Sequence, residues 1–185
     1  MRPAVFFDRD GTLNEEVGYA GRVEDFHIFD HAAAAVRRVN QSGRAVVVIT
    51  NQAGVARGYF PESAVVELHR HLCEQLEASG ARVDGIYYCP HHPQGTVAGY
   101  GRICDCRKPA AGMLRQAAAD LDLDLANSWV IGDSRHDVGA AHAAGARAVL
   151  VRTGYGERDL DAAAPEYVAA DAAEAVAWIL EQPSR

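Results

Sequence analysis

The sequence lacks any apolar run long enough to cross a membrane, which takes about 20 residues. Near its start the run Ala4 to Phe7 ends on Asp8, and Ala45 to Ile49 is also short. Neither a membrane partner nor a secretory leader is expected, and a cytoplasmic location is the expectation. Basic residues are scarce: 18 Lys and Arg face 25 Asp and Glu, a formal net charge of −7. An acidic chain whose aromatics do not interleave with a basic patch is a poor nucleic-acid binder. It can still hold a small phosphate with one or two placed cations. No G-x-x-x-x-G-K-[ST] loop is present and no G-x-G-x-x-G follows the first strand, so P-loop and dinucleotide chemistry lack their signatures. Cysteines number only four. Cys89, Cys104 and Cys106 gather beside histidines, which suits a metal site in a reducing compartment better than disulfides. Cys73 adjoins Leu72 on a helix and reads as packing.

What is present alternates strand and helix. At 185 residues and 49% hydrophobic, a single domain over residues 1–185 is expected. Ala4 to Asp8 reads as a buried strand ending in carboxylates. His31 to Gln41 reads as a helix with Gly43 at its exit. The β-branched run Ala45 to Thr50 predicts a strand buried on both faces, as in a parallel sheet. Pro61 opens a helix whose stripe is Val65, Leu68, Leu72 and Leu76. Further strands are expected at Asp84 to Tyr88, Trp129 to Ile131 and Ala148 to Val151. Further helices are expected at Ala110 to Asp120, Val138 to Ala144 and Ala172 to Glu181. Residues 89–109 carry no period and read as a loop, and Gly154 to Pro165 reads as a polar connection. This rhythm predicts a three-layer α/β fold with an open, mostly parallel, Rossmann-like sheet. No long exposed apolar stripe demands a partner, so a monomer is expected.

In such sheets ligands bind beyond the carboxyl ends of the strands. The polar residues there are Asp8 and Asp10, Thr50 and Asn51, Arg107 and Lys108, and Asp133 and Asp137. In Asp8-Arg-Asp-Gly-Thr12, one carboxylate can attack phosphorus and the other, two residues on, can shuttle the proton. Asp8, Asp133 and the backbone carbonyl of Asp10 offer hard oxygen ligands for Mg²⁺. Asp137 can orient a metal-bound water or cap the helix that follows. Thr50 and Lys108 suit the phosphoryl oxygens, and Arg107 a second anionic group. Cys89, His91, Cys104 and Cys106 have the donors for a closed, structural Zn²⁺ site, with His92 as an alternative to His91. The remaining histidines, His136 among them, read as surface or packing residues.

Four pieces together make the chain resemble the haloacid dehalogenase-like phosphatases: Phe7 to Asn14, Thr50-Asn-Gln52, Arg107-Lys-Pro109, and Gly132-Asp133 with Asp137. Within that superfamily it is similar, over nearly its whole length, to the heptose bisphosphate phosphatases. The telling stretches are Gly18-Tyr19, Thr50 to Gly58, Gly85 to Gly95 and Cys104 to Pro109. The resemblance implies a Mg²⁺-dependent phosphatase that lacks a large cap domain and carries a short zinc-bound loop. Its substrate would be a small phosphorylated sugar, a heptose 1,7-bisphosphate losing its 7-phosphate to give the 1-phosphate. Asp8 becomes the nucleophile that forms an aspartyl-phosphate, and Asp10 the acid and then the base. Thr50 and Lys108 become phosphoryl stabilisers, and Arg107 a recognition residue. Glu16, Val17, Gly18 and Tyr19, with Asn51, Gln52 and Ala53, match substrate-contacting stretches. One position departs: Ser134 stands where the heptose enzymes carry a lysine, with Arg135 beside it. Histidinol-phosphate phosphatase, another phosphosugar phosphatase and a non-catalytic zinc-stabilised binding protein are the competing readings. Asn51 to Arg57 favours the heptose reading, and the intact Asp8, Asp10, Lys108 and Asp133 argue against a mere scaffold.

Overall fold

A computed structural model of the chain describes residues 1–183. In chain order the elements begin with β1 (Ala4–Phe7), α1 (Ala32–Gln41), β2 (Ala45–Asn51), α2 (Ala53–Arg57) and α3 (Glu62–Ala78). They continue with β3 (Gly85–Cys89), α4 (Gly112–Leu121), β4 (Trp129–Gly132), α5 (Arg135–Ala144) and β5 (Arg147–Val151). The last are α6 (Gly156–Asp159), β6 (Tyr167–Ala169) and α7 (Ala172–Leu180). The six strands form one sheet in the order β3-β2-β1-β4-β5-β6, and every neighbouring pair is parallel. The α/β Rossmann-like architecture read from the sequence is therefore the architecture observed.

Alternation along the strands builds two cores. Val5, Phe7, Val46, Val48 and Ile131 face one side, where α1, Leu68 and Leu72 of α3, and Val176 of α7 cover them. Phe6, Val47, Ile49, Val130 and Leu150 face the other, under Met113 and Leu114 of α4 and Val138 of α5. Every residue of β1, β4 and β5 is buried, as a doubly covered parallel sheet demands.

The departures from expectation are local. Helix α5 starts at Arg135, three residues ahead of Val138, because Ser134 caps it: its N–H and hydroxyl both donate to Asp137 Oδ2, at 3.1 and 2.6 Å. The polar connection after β5 contains the single turn α6, and β6 is a three-residue edge strand. Helix α2 was also unforeseen. Each is too short to carry a readable period.

Strand order reverses direction between β1 and β4, so their carboxyl ends leave a crevice. Asp8 follows β1 directly and Asp133 follows β4. The loop from β3 to α4 returns to this crevice, where Asn51 grips it from the end of β2. The Asn51 side chain accepts from the Lys108 N–H at 3.1 Å and donates to the Lys108 carbonyl at 3.2 Å.

Candidate active site

Three buried charges, Asp8, Lys108 and Asp133, line a cavity of about 260 Å³, and a fourth, Asp137, is buried beside them. Asp8 Oδ1 accepts the Arg9 N–H at 2.7 Å and pairs with Lys108 Nζ at 2.9 Å. Lys108 is the only lysine in the chain. Its ammonium also donates to Asp137 Oδ1 at 2.6 Å and to the Ile49 carbonyl at 3.1 Å, which uses all its hydrogens. Burial works against that charge, but Asp137 and Asp8 outweigh it and raise the lysine above its ordinary range. Burial also raises Asp8 well above the usual carboxylate range, with Asp137 and Asp133 adding and Lys108 opposing. Asp133 is pushed up to about 7 by burial and then by Asp137. Its Oδ2 accepts the Tyr155 N–H at 2.8 Å. Gly11 and Gly154, both at positive φ, pinch that oxygen so closely that a Cβ on either would overlap it.

One carboxylate oxygen from each of Asp8, Asp133 and Asp137 lies within 4.8 Å of the others. Three crowded anions with one cation between them fit a hard divalent ion. Asp137, however, has both oxygens engaged, one by Lys108 and the other by Ser134. It serves as helix cap and lysine anchor.

Asp10 sits in a different field. Its Oδ1 accepts from Arg9 Nε, Arg9 Nη2 and Asn14 Nδ2, at 3.2, 3.0 and 2.9 Å. Its Oδ2 accepts from Arg9 Nη2 at 2.9 Å and Gln52 Nε2 at 2.8 Å. Burial pushes Asp10 up, but Arg9, Asn14 and Gln52 outweigh it and hold the group below its usual range. Gln52 Nε2 also reaches Thr50 Oγ1 at 2.9 Å. The two aspartates of the motif are thus shifted in opposite directions, Asp8 up and Asp10 down.

Beside this cavity, three sulfurs and one imidazole converge. The Sγ atoms of Cys89, Cys104 and Cys106 lie 3.2 to 3.4 Å apart, and His91 Nδ1 is 3.4 Å from Cys106 Sγ. Such spacing is close to that of ligands on one tetrahedral ion. His92 is turned away: its Nδ1 accepts from Gln94 and its Nε2 faces Arg57. Glu62 of α3 receives the hydroxyls of Tyr88 and Tyr100 at 2.9 and 2.6 Å, which pins the loop to the body.

Residues 105–175 match the family described as HAD-hydrolase-like. The D-glycero-D-manno-heptose-1,7-bisphosphate 7-phosphatase of Thermosynechococcus vestitus is 46% identical over 96% of this chain and 95% of its own length. The D-glycero-beta-D-manno-heptose-1,7-bisphosphate 7-phosphatase of Escherichia coli K12 is 46% identical over 82% of this chain and 80% of its own. The chain belongs to this family of haloacid dehalogenase-like phosphatases. Among solved structures, the D,D-heptose 1,7-bisphosphate phosphatase of B. bronchiseptica, complexed with magnesium and phosphate, superposes with a TM-score of 0.87 at 34% identity. That match covers 98% of this chain and 99% of the other.

In this member of the heptose bisphosphatase family the cavity gathers all but one of the expected phosphate- and substrate-site residues. Asp8, Asp10, Thr50, Lys108 and Asp133 line it, as do Glu16, Gly18, Tyr19, Asn51, Gln52, Ala53 and Arg107. Val17 is outside the lining and exposed. Five lining residues lie outside the site expected from sequence: Ala20, Ser134, His136, Tyr155 and Arg158. Ser134 stands where the heptose enzymes carry a lysine, and its hydroxyl turns inward to Asp137. His136, read as surface or packing, comes from the first turn of α5. Arg158 lies over the Tyr155 ring at 4.1 Å. The signal for that pair was Gly154-Tyr-Gly156, which from sequence reads only as a turn.

The raised carboxylates carry a pH consequence. Without metal the folded protein keeps a proton on Asp133 that the unfolded chain has already lost. Its stability therefore falls as pH rises from the ordinary carboxylate range to about 7, the Asp133 value. A bound cation needs Asp133, like Asp8, ionised. The Tm increase produced by saturating Mg²⁺ is thus expected to be larger at about pH 8 than at about pH 6. An increase that does not depend on pH would count against these carboxylates as ligands.

Proposed function

We propose that this protein is a Mg²⁺-dependent phosphatase that removes the 7-phosphate of D-glycero-D-manno-heptose 1,7-bisphosphate and leaves the 1-phosphate. The observation that carries this reading is the buried Asp8–Lys108 pair, flanked by Asp133, in a chain 46% identical to a phosphatase of that name over almost its full length. In this reading Asp8 attacks the phosphorus of the 7-phosphate. The bond from phosphorus to the sugar oxygen breaks, and Asp10 gives that oxygen its proton. Water then attacks the phosphorus of the aspartyl-phosphate, Asp10 takes the water's proton, and the bond to Asp8 breaks. Thr50 holds one phosphoryl oxygen, and Lys108 holds another with the hydrogen it gives Asp8 before the phosphoryl group is in place. Asp8, Asp133 and the carbonyl of Asp10 would hold Mg²⁺, which supplies positive charge against the transferring group. Arg107 and Arg158, which both line the cavity, supply cations for the sugar's second phosphate, and His136, held neutral by burial, can offer it a ring N–H.

Cys89, His91, Cys104 and Cys106 would hold a structural Zn²⁺ whose effect is to order residues 89–109. Arg107 and Lys108 leave the cluster directly after Cys106, so its order is theirs. Cys106→Ser is expected to lower bound zinc below one equivalent by metal analysis and to reduce kcat at least about tenfold. Full zinc and unchanged kcat in that variant would remove the loop from the account.

The substrate assignment is tested by phosphate release with Mg²⁺ from both anomers of the heptose bisphosphate, with histidinol phosphate alongside and ³¹P NMR of the products. Rapid loss of the C7 phosphate from one anomer, abolished by chelating Mg²⁺, is expected. Turnover of histidinol phosphate alone would move the protein to that activity and leave the aspartate chemistry in place.

A further inference from the structure

Arg9 lies between the two aspartates of the motif, and its residue is wholly shielded from solvent. It cannot touch a substrate. Its backbone and side chain nevertheless engage both carboxylates. The Arg9 N–H donates to Asp8 Oδ1 at 2.7 Å. The guanidinium folds back on Asp10, with Nε on Oδ1 at 3.2 Å and Nη2 on both oxygens at 3.0 and 2.9 Å. The backbone is equally committed: the Arg9 carbonyl accepts the N–H groups of Thr12, Leu13 and Asn14. Phe26 packs under the guanidinium, 5.2 Å from ring centre to Cζ. The remaining nitrogen, Nη1, is buried and has no hydrogen-bond partner among the described residues. A fully buried cation with one donor idle is costly unless its other contacts repay it. All of its side-chain hydrogen bonds go to Asp10.

The proton shuttle needs a carboxylate aimed at one place in two successive steps. An aspartate side chain at the rim of an open cavity is not rigid by itself. Here the Arg9 fork sets the plane of the Asp10 carboxylate, Asn14 adds a third donor to Oδ1, and Oδ2 is left with Gln52 and a shared Nη2. Oδ2 is therefore the oxygen with capacity to spare. We propose that Arg9 is a positioning residue for the reaction: its guanidinium locks Asp10 with Oδ2 as the atom at which the proton moves. This rests on the reading of Asp10 as the proton carrier.

A double-mutant cycle tests it, run with the phosphate ester that the wild type cleaves fastest. Asp10→Ala is expected to lower kcat about 1,000-fold. Arg9→Met is expected to lower kcat about 100-fold, with KM within about threefold of wild type. If Arg9 acts through Asp10, the double variant is no slower than Asp10→Ala, within about threefold. Independent effects would multiply to about 100,000-fold, and that result overturns the proposal. A KM change with kcat intact overturns it as well. Should Arg9→Met fail to fold, Arg9→Lys runs the same cycle, since one ammonium reaches one Asp10 oxygen but cannot set the plane of both. The wild-type arm keeps the two readings apart: cleavage of another ester but not the heptose bisphosphate refutes the substrate and leaves the Arg9 cycle valid. A wild type that cleaves no phosphate ester overturns both.

Discussion

Asp8→Asn is expected to reduce kcat at least about 10,000-fold and to leave Tm no lower than that of wild type. The two parts have separate causes. An amide cannot serve as the attacking oxygen, so the step that begins the reaction is lost. The same change removes one of three carboxylates held within 4.8 Å of each other away from water. Asp8 is raised because its ionised form is disfavoured there, first by burial and then by Asp137 and Asp133. Neutralising it lifts that penalty at the cost of one partner of Lys108, which keeps Asp137 and the Ile49 carbonyl. Stability and turnover thus oppose one another at this residue. A variant that lost activity by unfolding would show a Tm fall, and thermal melts in metal-free buffer separate the cases.

Lys108→Met is expected to cost about 3–5 kcal/mol of stability, together with nearly all activity. The methionine fills the volume but leaves Asp8 and Asp137 without their shared cation, both inside the protein. For a chain of this size the loss corresponds to a fall in Tm of roughly 6–20 °C. Saturating Mg²⁺ should restore part of the Tm, since a divalent ion replaces some of the missing charge at Asp8. It should not restore turnover. An equal loss from Arg115→Met, a surface cation bonded to the Ala143 carbonyl at 3.0 Å, would show that the effect is not particular to the buried pair.

Much of this was legible from sequence because the fold writes it twice. The continuous runs Ala4 to Phe7 and Ala45 to Ile49 specify strands buried on both faces, and the residues that break those runs lie where the sheet opens its crevice. Asp8, Thr50 and Asp133 were readable for that reason. The Cys89, His91, Cys104 and Cys106 grouping was readable from donor type and spacing, while the orientation that separates His91 from His92 depends on side-chain rotamers. The wall formed by Tyr155 and Arg158 was not readable. It hangs on one helical turn, placed by the Tyr155 N–H on Asp133 and by Asp159, which holds Arg158 Nε at 2.9 Å and the Arg135 N–H at 3.0 Å. Those ties are tertiary. Asn51 and Gln52 were foreseen as substrate contacts, but their grips on Lys108, Asp10 and Thr50 depend on side-chain directions at the end of β2.

Loss of activity in Asp8→Asn alone would fit a metal ligand as well as a nucleophile. The direct measurement is therefore to quench the wild type with acid during turnover of the heptose bisphosphate and map its peptides by mass. The predicted result is one phosphoryl group on the peptide that begins the chain, localised to Asp8 and absent when Mg²⁺ is chelated. Turnover with no phosphorylated peptide at any quench time, or with the phosphoryl group on another residue, would contradict the account.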